Sequence, residues 1–197
     1  MTIRVSQLKC PSCGWPLELG MTECPAGHPV YISTFNSIND LPLPLLNRYA
    51  SAYRKNQAAA PLDRGTNKSL AFCYLKLKLY EQALDAFAKA IADNFDDSEV
   101  YFYAAIAALK GKKAFVTPRP MIDQALEYVS SALIIEPRGI YYYLQAYIKY
   151  DYFARKHLRI SPDYRQCLEQ ARGRITPADI TALFALLNVE KPEILTL

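Results

Sequence analysis

The sequence predicts an all-α fold, a stack of antiparallel helical hairpins preceded by a short module that is not helical. Three observations predict it. From Lys68 to Ile91, small and large apolar residues recur at helical spacing on two facing stripes, Leu70, Ala71 and Tyr74 on one and Ala83, Phe87 and Ala90 on the other. The same plan returns from Ser98 to Pro137. By contrast, Leu8 to Val30 shows no helical period and crowds three of the five cysteines with a histidine. The chain therefore divides into a small module at 1–40 and a helical domain at 41–197.

Length and charge bound the function. A chain of 197 residues with 51% apolar residues can bury one helical core. Its net charge of +4 permits an anionic partner without demanding one. The opening stretch MTIRVSQLK has no apolar targeting core, and the longest apolar runs fall short of the roughly 20 residues that span a bilayer. A cytoplasmic chain with no membrane partner is expected. An odd number of cysteines in such a chain argues against a disulfide framework and for a metal site, with Cys73 and Cys167 as small buried groups on helices.

Within the first module, Cys10 and Cys13 form a CxxC turn, and Cys24 and His28 supply a second pair. Four such ligands can close a tetrahedron around zinc, replacing the apolar core that so short a segment lacks. The arrangement resembles a zinc ribbon or zinc knuckle, which implies structural Zn2+ on Cys10, Cys13, Cys24 and His28. It departs from that pattern at Gly27, where the second cysteine of the turn would stand. The alternatives are a module that has lost its metal and a redox-active cysteine pair. Four protein ligands leave no open position for catalytic water. The module carries only Arg4 and Lys9 against Glu18, Glu23 and Asp40, so it suits phosphate contacts poorly.

After a polar connector around Ser33 to Asp40, a lone amphipathic helix is expected over 43–60, with Leu46, Tyr49, Ala50 and Tyr53 on its buried face and Pro61 at its end. A first hairpin follows at 67–95. A second occupies 98–137, with Tyr101, Ala104, Ala105 and Ala108 answered by Ala125, Val129 and Ala132. Its link, KGKKAFVTPRP, places Lys110, Lys112, Lys113 and Arg119 in a basic loop. A divergent third unit and capping helices fill 139–189. Ile140, Leu144, Tyr147 and Ile148 form its inward face, Ser161–Pro162 opens one helix, and Thr176–Pro177 opens a last, apolar one.

These hairpins resemble tetratricopeptide repeats, whose period is about 34 residues. The departures are Asn67 for a large aromatic, Phe95 for the closing proline, and about eight extra residues in the second link. The resemblance implies a concave groove lined by the first helix of each pair. Carried over by residue, that groove comprises Lys68, Phe72 and Lys76, then Phe102 and Ile106, then Tyr142 and Lys149. Such a surface suits a peptide or protein partner with apolar anchors and acidic groups. The alternative is that the lone helix or the C-terminal cap fills it. Only Lys68 matches the lysine and asparagine clamp with which some such domains hold heat-shock chaperone tails. Phe72, Tyr103, Gly139 and Tyr143 occupy the other clamp positions. A zinc ribbon joined to a short repeat array also resembles small bacterial proteins that work beside such chaperones.

Chemistry-bearing motifs are sparse. Of two histidines, His28 reads as a ligand and His157 sits in RKHLR without an acidic neighbour. The seven glycines form no phosphate-binding fingerprint. A non-enzymatic interaction adaptor is therefore expected. The competing class is a nucleic-acid-binding adaptor using Arg155, Lys156, Arg159, Arg165, Arg172 and Arg174. Homodimerisation through tyrosine-rich surfaces also fits the pattern.

Overall fold

The computed structural model describes residues 8–9, 13, 15–18, 21–92 and 96–196. Two short strands, β1 (Leu8–Lys9) and β2 (Pro16–Leu17), pair antiparallel with Leu8 opposite Leu17. Eight α-helices follow among the described residues: α1 (Leu43–Ala59), α2 (Arg64–Lys76), α3 (Tyr80–Ile91), α4 (Ser98–Ala108), α5 (Arg119–Ile135), α6 (Gly139–Ile148), α7 (Tyr164–Ala171) and α8 (Pro177–Leu187). The protein is predominantly helical, as the periodicity predicts.

Successive helices pack on one another from α1 to α7, and α8 returns onto α6. Hairpins α2/α3, α4/α5 and α6/α7 thus form a repeat-like array, with the first helices α2 and α4 also in contact. Small residues allow the close approach. Ala71, Ala83, Ala86, Ala104, Ala105, Ala125 and Ala132 are all buried at helix contacts. Between them, Phe72, Phe87 and Tyr103 meet edge to face at 5.4–6.0 Å, a favoured geometry for aromatic rings.

Local signals set the helix ends. The Asp63 carboxylate accepts the Thr66 N–H at 2.8 Å and caps α2. Lys78, at φ 60°, closes the same helix, and the Leu79 N–H reaches back to the Tyr74 carbonyl at 2.8 Å. At α7 the cap is Asp163, two residues beyond the expected Ser161. Its side chain accepts the Gln166 N–H while Gln166 accepts the Asp163 N–H, each at 2.9 Å. This reciprocal box outcompetes a serine cap. Thr176 and Asp179 form the equivalent box at α8, with Pro177 at its first position.

Where the sequence departs from the repeat pattern, polar chemistry takes over. Asn67 is fully buried, donating to the Pro61 carbonyl at 2.9 Å and accepting from Gln57 at 2.6 Å. Beyond α6 the chain underwinds into a π-turn at Lys149–Phe153. There the buried Asp151 carboxylate accepts the Phe115 N–H at 2.8 Å and pairs with Arg155. The long α4–α5 link is thereby stitched to the third unit. Ala114 in that link is fully buried, so it is no free loop.

Candidate functional site

Two regions gather chemistry-bearing groups. In the first, Cys13 stands in the turn between β1 and β2, and a second turn carries Cys24 and His28. That second turn is closed by the Cys24 N–H on the His28 carbonyl at 2.9 Å and the Gly27 N–H on the Cys24 carbonyl at 2.8 Å. Gly27 has φ 82°, a conformation side chains with a Cβ resist. This explains the departure from the ribbon pattern: glycine tightens the turn so that the next residue, His28, faces Cys24. The Cys13 and Cys24 sulfurs stand 3.8 Å apart, and Cys24 Sγ is 3.5 Å from His28 Nδ1. All three ligand atoms lie within 4.8 Å of one another and could hold a metal ion. Cys10, the fourth expected ligand, lies outside the described residues. The turn is anchored to the stack, because Tyr53 donates its hydroxyl to the Val30 carbonyl at 2.8 Å and Asn56 reaches Thr22 Oγ1 at 3.5 Å.

The second region is the side of the stack lined by α2, α4 and α6. Most of the groove residues expected there are buried in the core. Phe72, Phe102 and Ile106 are 0%, 6% and 1% exposed. Lys68 is engaged by Asp97 at 2.7 Å and Glu99 at 3.8 Å. Lys149 is buried, donating to the Pro162 carbonyl at 2.8 Å. Lys76 and Tyr142 remain half-buried.

The physical reason is a plug the sequence reading treats only as a polar connector. Residues 31–38 lie against the first helices. The Phe35 ring sits 5.6 Å from Phe72 and 4.4 Å from Tyr103. The Ile32 N–H donates to Ser69 Oγ at 2.8 Å, and the Phe35 N–H to Glu99 Oε1 at 3.2 Å. Ile32, Phe35 and Ile38 are all buried. Their spacing of three was the available signal, and Phe35 and Ile38 bound the 3-10 turn Phe35–Ile38. At the other end α8 closes the array. Phe184 meets Tyr143 and Tyr147 edge to face, and Tyr143 donates to the Leu195 carbonyl at 2.7 Å.

Between plug and cap a cleft of about 540 Å³ stays open. Its floor includes Phe102, Ile140, Leu183 and Leu186, and Lys76, Lys78, Arg138 and Arg174 also line it with Glu99 and Asp179. Gly139 fixes one corner, since a Cβ there would meet the Arg174 carbonyl oxygen at 2.3 Å. Burial pushes the Glu99 carboxyl above its ordinary value, partly offset by the Phe35 N–H and Lys68. Asp179 is held below its ordinary value by the Thr176 N–H and hydroxyl.

Elsewhere, reactive-type groups are engaged. Burial pushes the Cys73 thiol up to about 12, and raises Cys167, whose Sγ donates to Gln145 Oε1 at 3.1 Å. In the basic segment 155–174, Arg155 pairs with Asp151 and lies over Phe115 at 4.4 Å, Lys156 lies 3.7 Å over Tyr152, and Arg172 faces Glu169 at 3.6 Å. Lys110 of the α4–α5 link pairs with Glu81, and Arg119, expected in that link, opens α5 and pairs with Asp123 one turn on. No helix among the described residues is long and apolar enough to cross a membrane. No model of a known protein family matches the chain, and a search of curated proteins finds no match either.

Proposed function

We propose that this chain is a non-enzymatic protein-interaction adaptor, a tetratricopeptide-like stack joined to a zinc-stabilised N-terminal module. The observation that carries the reading is the partly filled first-helix surface. A plug and a cap bury most of it and leave one cleft with an apolar floor and cations at its edge, a form suited to holding a segment of another protein. Among the described residues of the helical stack, the thiols of Cys73 and Cys167 are buried away from that cleft, and burial raises both.

Zinc is supported by geometry. Two thiolates about 2.3 Å from one tetrahedral ion stand about 3.8 Å apart, and a thiolate and an imidazole nitrogen about 3.6 Å apart. The observed separations are 3.8 Å and 3.5 Å, far longer than a disulfide bond. Cys13, Cys24 and His28 would hold the ion, with Cys10 as the fourth ligand the sequence supplies. Bound there, zinc supplies folding energy, not reactivity.

The test is affinity capture on the immobilised full-length protein from lysate of the cells that make it, with the retained species identified. Recovery of a defined protein at physiological salt is expected. Retention of polynucleotide alone would overturn the adaptor reading in favour of the basic 155–174 segment.

A further inference from the structure

We propose that the cavity where the π-turn, the 154–163 segment and the start of α7 meet binds a small organic phosphate monoester. This goes beyond the adaptor reading and uses a different part of the molecule from the first-helix cleft. The cavity has a volume of about 620 Å³, within the range of sites that hold small molecules.

Its construction begins with the backbone. The π-turn carries Lys149 off the helical period, and His157, at φ 56°, turns the chain back so that the Leu158 N–H reaches the Phe153 carbonyl at 2.9 Å. Leu158 and Arg159 then line the cavity from that segment, and Asp163, Tyr164 and Arg165 line it from the cap and first turn of α7.

Lys149 is the observation that carries the proposal. The residue is 4% exposed, and its ammonium donates to the Pro162 carbonyl at 2.8 Å. It also lies beside the Cys167 thiol, which donates to Gln145 and is itself neutral. No carboxylate among the described residues forms an ion pair with it. A buried cation whose hydrogen bonds go to neutral groups has its lost hydration poorly compensated, and an anion in the cavity it lines supplies the missing charge.

The other lining charges leave an excess of the same sign. Arg159 makes no ion pair or hydrogen bond with another described residue. Arg155 is already paired with Asp151, while Arg165 only approaches Asp163 at 4.0 Å. The Asp163 carboxylate is committed to the Gln166 N–H at 2.9 Å. Lys149, Arg159 and Arg165 set against Asp163 leave two positive charges, which matches the charge of about −1.5 to −2 on a phosphate monoester at neutral pH. A carboxylate answers only one of them. Guanidinium forks and an ammonium also suit the three acceptor oxygens of phosphate. Beside these cations, the Tyr150 and Tyr164 rings meet at 5.2 Å and Leu158 is half exposed, so the same cavity offers an apolar wall to the organic part of the ester.

The test is isothermal titration calorimetry of the full-length protein with phenyl phosphate as the probe, beside phenol and inorganic phosphate. Phenyl phosphate should bind saturably and about tenfold or more tighter than either reference. Lys149→Met, which keeps the apolar stem and removes the ammonium, should weaken it by about tenfold or more. Arg159→Glu should do the same at an exposed side chain with no partner to lose, which preserves the test if Lys149→Met fails to fold. Lys112→Glu with Lys113→Glu, exposed on the α4–α5 link, should leave binding unchanged although it removes more positive charge. Absence of saturable binding would overturn the proposal, as would either reference binding as tightly as phenyl phosphate, or full binding by Arg159→Glu. Displacement of phenyl phosphate by an oligouridylate that binds more tightly, with affinity falling steeply as salt rises, would also overturn it and assign the cavity to a polynucleotide. Recovery of a protein partner by lysate capture is independent of all these results, so the adaptor reading stands or falls separately.

Discussion

The N-terminal module and the helical stack differ in how much apolar surface they bury. In the stack, rings and methyl groups exclude water from a continuous core, and Phe72, Phe87, Leu75 and Ile106 are all at most 1% exposed. In the module, Trp15 is 52% exposed and Cys24 is the one buried apolar side chain among the described residues before Ile32. So small a segment offsets little of its chain entropy by burial, and Cys13, Cys24 and His28 could hold a metal ion there. The connector between them belongs energetically to the stack, because Ile32, Phe35 and Ile38 complete its core. The difference teaches that the boundary of stability does not fall at the boundary of secondary structure.

The comparison breaks most visibly at the centre of the stack. Phe72→Ala should cost about 3–5 kcal/mol in urea unfolding followed by far-ultraviolet circular dichroism. A cost below about 1 kcal/mol would mean that the groove is open and the core lies elsewhere. Phe35→Ala should cost about 3 kcal/mol by the same measurement, despite lying outside every α-helix. A change confined to the module, with helix unfolding unaltered, would return the connector to the module.

Smaller effects sharpen the other side. Gly27→Ala forces a left-handed residue with a Cβ and should cost about 1–2 kcal/mol locally. Its readout is weakened metal binding by chelator competition, with the helical melting midpoint unmoved. Thr176→Ala should cost the stack about 1 kcal/mol through loss of the α8 cap. The same cap carries a pH signature. Asp179 is depressed in the folded state, so its contribution is complete above the ordinary aspartate range and is lost as pH falls through its lowered value. Asp179→Asn should flatten the acid limb of the stability profile, and an unchanged limb would contradict that assignment.

How much was legible in the sequence follows the same division. Helices α1 to α5 announce themselves because their buried stripes repeat at the helical period, and α8 because Thr176, Pro177 and Asp179 spell its start. The plug did not, since three apolar residues among polar ones at a spacing of three carry little weight beside a full helix. Lys68, Phe72, Lys76, Phe102, Ile106 and Tyr142 lie on the first helices α2, α4 and α6, yet whether Phe72 or Phe102 faces solvent depends on what chain elsewhere covers them. Lys149 and Asp151 were opaque for another reason. A π-turn rotates side chains off the helical period, turning a lysine expected at the groove edge into a buried donor to the Pro162 carbonyl. In the N-terminal module, the spacing of Cys13, Cys24 and His28 marked them as a group that could hold a metal ion, and the role of Gly27 needed the backbone.

The most direct test of the two-region account is native mass spectrometry of the purified full-length chain, before and after chelation and refilling with zinc. The account predicts one zinc ion per chain, lost on chelation or in Cys24→Ser, while the charge-state distribution of a folded helical stack is retained. A folded chain that takes up no zinc at neutral pH under reducing conditions would contradict it.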